Sequence, residues 1–218
     1  LKRYHVDLQE ASGRALEFHC ANSAATLLKP KTHGAFVRCG IATYGLWPSR
    51  ETLLSVRDMR AGKGSFELDP VMTWKAKVTQ VKKVRSGSFI SYGRTYRATA
   101  DSEIAVLGLG YADGYDRLLS NCAHGILRGI RVPVRGRICM NMTMVDVTDV
   151  EGCERGSEVT LLGSDGGEEV SADQIAAWAG TINYEIPTRI AADIPRIAVN
   201  CPPLIRETLE KHGVPVSD

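Results

Sequence analysis

The hydrophobic period changes once along this chain, near Met72, and that change limits the folds open to it. Upstream, apolar residues come in short unbroken runs. Residues 15–20 and 35–41 read as strands of the buried type. Between them Asn22 and Ser23 form a cap before a short helix over 24–28, which Pro30 ends. Strand, helix, strand is the unit of a parallel α/β sheet. Two strands cannot cover both faces of such a sheet, so this part reads as incomplete, to be completed by an upstream segment or a partner. Residues 1–13 read as the end of a helix stopped by Gly13, and 46–70, with Pro48, Gly62, Gly64 and Pro70, as a linker.

Downstream, Trp74, Ala76 and Val78 alternate with Lys75, Lys77 and Thr79, the period of a half-buried strand. Further strands are expected over 89–92, 104–109, 125–127, 131–134, 138–147 and 158–162, most of them separated by glycine turns. In the 138–147 run, Ile138, Met140, Met142 and Met144 share one face, and Cys139, Asn141, Thr143 and Val145 the other. Many short strands at close spacing predict an antiparallel barrel or sandwich. One helix is marked out by Ser171 to Gln174 as a capping box, by Ile175, Trp178 and Ala179 on one face, and by Gly180 as a stop. The fold class is thus α/β followed by a mostly antiparallel β domain.

Charge narrows the function. Among 218 residues, 27 Lys and Arg offset 25 Asp and Glu, a net charge of +2. That balance leaves no electrostatic footprint for nucleic acid or an anionic membrane. No apolar run has membrane-spanning length, and the first ten residues carry neither a signal-peptide core nor an initiator Met, so the start reads as cut. The six cysteines (20, 39, 122, 139, 153 and 201) show no C-x-x-C spacing and no grouping with His, which predicts no metal site and free thiols in a reducing cytoplasm.

Several segments could carry chemistry. Ser23, where a strand meets a helix, suits a phosphate or is an ordinary cap. Gly40 after Arg38 either lets a ligand approach the backbone or is structural. Tyr92 stands beside a Gly turn. A phenol acts as a general base only when its pKa, about 10 in water, is brought toward neutrality; otherwise such a Tyr is packing. Residues 110–117 form a Gly-rich turn with Tyr111, Tyr115 and Arg117. It is either a loop in which Asp113 bonds its own backbone or a lip for a small charged substrate.

In order, the chain carries HCANSAA, VRCGIATYGLWPS, ISYGRTYRA, GYADGYDRLLS, VPVRGRICMNMTMVDVTD and TINYEI. That series resembles the bacterial alanine racemase family of pyridoxal-phosphate enzymes across residues 18–196. The match falls on the carboxyl-terminal half of the family: the end of its α/β barrel with a linker, here 1–66, then its β domain, here 67–218. The resemblance implies a cytoplasmic homodimer that interconverts L- and D-alanine by two-base proton transfer and supplies D-alanine for peptidoglycan, with neither nucleic acid nor membrane as partner. By the resemblance Tyr92 matches the base on the L face. Arg38 matches the Arg at the cofactor's pyridine nitrogen, and His19 the His that orients it. Ser23, Gly40, Ile41 and Tyr184 match the phosphate cradle. Met140 matches the residue whose backbone N–H meets the substrate carboxylate, and Tyr111, Arg117, Arg137 and Ile182 match the substrate corridor.

Two departures matter. The lysine that holds the family's cofactor and serves the other face has no counterpart among the lysines here, so the chain is expected to be inactive alone. Asn141 stands where the family usually has Asp, which removes a charge, and Cys39 replaces a common Pro. Two further readings stay open: a non-catalytic assembly module built on the β domain, and a racemase of serine or broader range. Serine-preferring relatives tend to have Asn where this chain has Tyr184, which favours alanine.

Overall fold

The structure, a computed structural model, describes residues 2–217; Leu1, the first residue of the predicted amino-terminal helix, and Asp218 lie outside them. The chain forms two compact units that part between Trp74 and Lys75.

In the first unit, α1 (Lys2–Ser12) ends at Gly13, whose φ of +63° lets its N–H return to the Gln9 carbonyl at 3.1 Å. The helix α2 (Ser23–Leu28) starts where the Asn22 side chain accepts from the Ala25 N–H at 3.0 Å. The two runs flanking α2 do lie parallel, but they are not strands. A single parallel bridge joins Asn22 to Arg38, and the Arg38 N–H donates to the Ala21 carbonyl at 2.8 Å. Among the described residues each run has only the other to pair with, and Leu16 and Phe36 stay exposed. Neither a ladder nor burial therefore enforces an extended backbone. The expected linker over 46–70 contains a helix, α3 (Arg50–Met59). The Ser49 hydroxyl caps it by accepting from the Thr52 N–H at 3.2 Å, and Thr52 and Val56 are its buried residues. Hydrogen bonding to its own backbone N–H, then to Ser49, holds the Glu51 carboxyl below its ordinary range in the first turn.

The second unit is built on a seven-stranded, mainly antiparallel sheet. Its strands are β1 (Trp74–Val84), β4 (Ser102–Leu107), β5 (His124–Leu127), β6 (Ile130–Pro133), β7 (Thr143–Asp146), β8 (Glu158–Asp165) and β9 (Glu168–Val170). Neighbours run β6-β5-β8-β1-β4-β7, with β9 on β8. The two ends of this order approach each other. Val134 bridges Val145, and the Arg135 N–H donates to the Met144 carbonyl at 2.9 Å, but no ladder closes a barrel. Ile104, Leu107, Ile126, Val132, Val145, Val159 and Leu161 fill the core. Between β1 and β4 a small hairpin pairs β2 (Phe89–Ile90) with β3 (Tyr96–Arg97).

The predicted 138–147 strand is shorter than its pattern. Only Thr143–Asp146 is a strand, because the Cys139 N–H turns back onto the Met142 carbonyl at 2.9 Å. Met140 and Met142, outside that strand, are exposed. The helix α4 (Ala172–Ala179) forms as read. Ser171 Oγ accepts from the Gln174 N–H at 3.1 Å, and Gly180 ends it at φ +69°. Next come α5 (Glu185–Arg189), β10 (Ala198–Val199), α6 (Pro203–Lys211) and β11 (Val216–Ser217), which pairs parallel with β10.

Candidate functional site

In the first unit the sequence-predicted residues converge. Arg38 Nη1 lies 2.8 Å from His19 Nδ1. A guanidinium only donates, so Nδ1 accepts, and in the neutral ring the proton sits on Nε2. The His19 ring stacks on Phe36 with centroids 4.0 Å apart, which fixes its plane. Ser23 is buried at the start of α2. Its hydroxyl accepts from the Gly40 N–H at 3.0 Å and the Ala42 N–H at 3.4 Å, keeping its own proton to donate. Gly40 opens the 3₁₀ turn Ile41–Tyr44, whose Ile41 is buried. A methyl group added at Gly40 would meet no protein atom within 4 Å, so the space above this backbone is open. The arrangement offers hydrogen-bond donors at two places: the remaining guanidinium N–H groups of Arg38, and the Ser23–Gly40 corner.

In the second unit Tyr92 sits at the head of a 3₁₀ turn, Tyr92–Arg94, with its side chain exposed. Against this turn packs Arg137, whose guanidinium carbon would lie 3.2 Å from a Cβ on Gly93. Tyr111 and Met140 also come together. The Tyr111 N–H donates to the Cys139 carbonyl and the Ala112 N–H to the Met140 carbonyl, each at 3.0 Å. The approach requires Gly110, because a Cβ there would lie 2.0 Å from the Cys139 oxygen. Asp113 holds the turn by accepting from the Gly110 N–H at 2.7 Å, the bond expected of it. Arg117 lines an open depression with Tyr111, Ala112, Gly114, Asp116 and Arg189. Tyr184, partly exposed, immediately precedes α5, and Ile182 is exposed beside it. His19, Ser23, Arg38, Gly40 and Ile41 therefore belong to the first unit, and Tyr92, Tyr111, Arg117, Arg137, Met140, Ile182 and Tyr184 to the second.

Sequence reasoning passed over Arg189. It pairs with Asp116 and, at 2.8 Å, with Glu185 one helical turn back, so it anchors α5 to the Tyr111 lip. The Glu185 to Arg189 spacing on a helix was the available signal. His124 was missed too. Among the described residues its buried Nε2 has no hydrogen-bond partner, and its ring meets Trp178 edge-on at 4.8 Å. All six thiols are unpaired, and burial raises the pKa of Cys122 and Cys153, which makes them poor nucleophiles. Among the described residues no group of three or more His, Cys, Asp or Glu could hold a metal ion, and no helix is long and apolar enough to cross a membrane.

Residues 2–48 match the alanine racemase N-terminal domain and residues 71–198 the alanine racemase C-terminal domain. The alanine racemase of Leptospira interrogans is 43% identical over 182 residues, 84% of this chain and 46% of the relative. That of Desulfosudis oleivorans is 44% identical over 202 residues, 91% of this chain and 50% of the relative. Among solved structures, the Streptomyces coelicolor alanine racemase superposes with a TM-score of 0.77 at 38% identity, covering 91% of this chain and 50% of that one. The Bacillus anthracis enzyme with bound L-Ala-P gives 0.72 at 38% identity, covering 86% and 46%. The chain spans about half the length of the relatives it matches. The two domain matches, amino-terminal over 2–48 and carboxyl-terminal over 71–198, make this chain a member of the alanine racemase family.

Proposed function

We propose that this chain supplies the carboxyl-terminal half of a pyridoxal-phosphate-dependent alanine racemase, with residues 1–66 as the end of the barrel and 67–218 as the β domain. The observation that carries the reading is the paired donor arrangement of the first unit. Arg38 is held by His19 at 2.8 Å, and the buried Ser23 hydroxyl is tied to Gly40 at 3.0 Å under open space. An aromatic nitrogen accepts from a donor such as Arg38, and a phosphate accepts from the hydroxyl proton that Ser23 keeps free, so the residues present fit both ends of that cofactor. Pyridoxal phosphate, when bound, supplies an electron sink that makes an amino acid's α-hydrogen removable.

The chain's own residues then divide the work. Arg38 donates to the ring nitrogen without giving up its proton, and His19 fixes its plane. Ser23, Gly40 and Ile41 hold the phosphate, a role that the resemblance gives Tyr184 as well. Tyr92 takes and returns the α-hydrogen on the L face. The Met140 N–H meets the substrate carboxylate, and Tyr111, Arg117, Arg137 and Ile182 line the route in. The base for the D face and the covalent hold on the cofactor fall to a lysine outside the motifs this chain carries. The physiological product is D-alanine for peptidoglycan, made in the cytoplasm by a homodimer.

The test supplies the remaining half of an alanine racemase and follows deuterium incorporation from D₂O into each alanine enantiomer at early times. Tyr92→Phe keeps the ring and deletes the hydroxyl. Loss of a general base costs ~10²–10⁴-fold, so exchange of L-alanine should fall on that scale while exchange of D-alanine falls far less. Arg38→Ala should weaken both equally. A symmetric loss in Tyr92→Phe would mean that Tyr92 is not the base.

A further inference from the structure

Tyr92 is 72% exposed, and among the described residues nothing hydrogen-bonds its hydroxyl. Its place is therefore set by backbone, and that backbone is strained. Left-handed φ values occur at Ser91 (+64°), Gly93 (+71°) and Arg94 (+51°). With ψ at −174°, Ser91 occupies a region that only glycine adopts without cost. Its hydroxyl holds it there, donating to the Arg137 carbonyl at 2.5 Å and lying 3.6 Å from Cys139 Sγ. A further left-handed non-glycine residue, Asn121 at φ +62°, acts on the same strip of chain. Its Oδ1 accepts from the Gly136 N–H at 2.6 Å, and its Nδ2 donates to Thr95 Oγ1 at 3.2 Å. Beside it, Ser120 Oγ accepts from the Ile138 N–H at 3.0 Å. These bonds stitch the Tyr92 turn to residues 136–139, which lead directly into Met140. The costly conformation at Ser91 persists because side chains on both strips over-determine it.

We infer that Ser91 and Asn121 are positioning residues which, given Tyr92 as the L-face base, fix its phenol relative to the Met140 N–H that receives the carboxylate. Substrate bound by Met140 then presents its α-hydrogen to Tyr92 at a set distance. Neither side chain takes part in the proton transfer itself.

Ser91→Gly is the informative variant, because it relieves the left-handed backbone while deleting the hydroxyl. Were Ser91 only a strained residue, Gly would leave the strip as tight as before or tighter. As a clamp, its loss should speed amide hydrogen exchange at Ile138 and Cys139 about tenfold in the full chain, leaving Val147, whose N–H donates to the Glu103 carbonyl at 2.8 Å, unchanged. Asn121→Gly should do the same at Gly136. Unchanged protection at these amides overturns the clamp. With the remaining half of an alanine racemase and pyridoxal phosphate supplied, Ser91→Gly should lower α-hydrogen exchange of L-alanine ~10–100-fold and that of D-alanine by less than about twofold. Equal losses for both enantiomers overturn the positioning role, since a merely structural defect has no face. If the unsubstituted protein exchanged neither enantiomer, the racemase reading and Tyr92's role would fall together, and the amide comparison would still decide the clamp.

Discussion

His124 shows how a single side chain ties the sheet to pH. Burial, and then the positive charge of Arg131, lower its pKa below the ordinary 6.5, with Glu168 opposing. The folded protein therefore keeps the ring neutral where an unfolded chain would take a proton. Stability from this residue is present above about pH 6.5 and is lost as pH falls from there toward the lower folded value, since the unfolded state then binds more protons. Urea denaturation between pH 7.5 and 5 should show a decline that His124→Phe flattens; equal slopes in both proteins would exclude His124 as the cause. Nothing local in the sequence marks His124, because its burial is created by Trp178, far along the chain. Tyr92 and Arg38, by contrast, are singled out by the ordered motifs around them, and their proposed roles rest on those motifs. Ser91 and Asn121 were not legible, since a left-handed φ at Ser or Asn depends on bonds to residues 136–137 that no local pattern encodes.

At the scale of elements, legibility followed the locality of the cause. The helix α4 was readable because its cap and stop, Ser171 and Gly180, lie in the sequence beside it. The strand β1 was readable because alternation is a local signal, and its buried Trp74, Ala76 and Val78 keep the predicted face. The helix α3 had an equally local cap in Ser49, but the Pro and Gly residues on either side made the whole segment read as linker. Ser49→Ala should cost about 1 kcal/mol of the first unit's stability, the usual worth of such a cap, read from thermal melts of that unit's circular dichroism. No change would mean that packing of Val56, not the cap, sustains α3. The 138–147 run failed for the opposite reason. Its residue types alternate as in a strand, yet tertiary bonds from Tyr111 and Ala112 pull the 139 and 140 carbonyls out of any ladder.

At the scale of the whole molecule, the chain carries the two donor groups proposed for the cofactor, Arg38 held by His19 and the Ser23–Gly40 corner, but no lysine in the family's motif. Treated with pyridoxal phosphate and borohydride, the isolated chain should therefore show only scattered, substoichiometric labelling of lysines by peptide mapping. One lysine labelled to completion, with racemase turnover, would defeat this. The sheet carries a last consequence, which is mechanical. Its two ends meet at one bridge, Val134 to Val145, reinforced by Arg135 on the Met144 carbonyl and on the Asp146 carboxylate at 3.4 Å. Shear along β1 and β4 loads many paired residues at once, whereas tension between β6 and β7 loads this seam alone. The domain is thus anisotropic under force. In an optical trap, handles placed across the seam should part it at a lower tension than handles placed along β1.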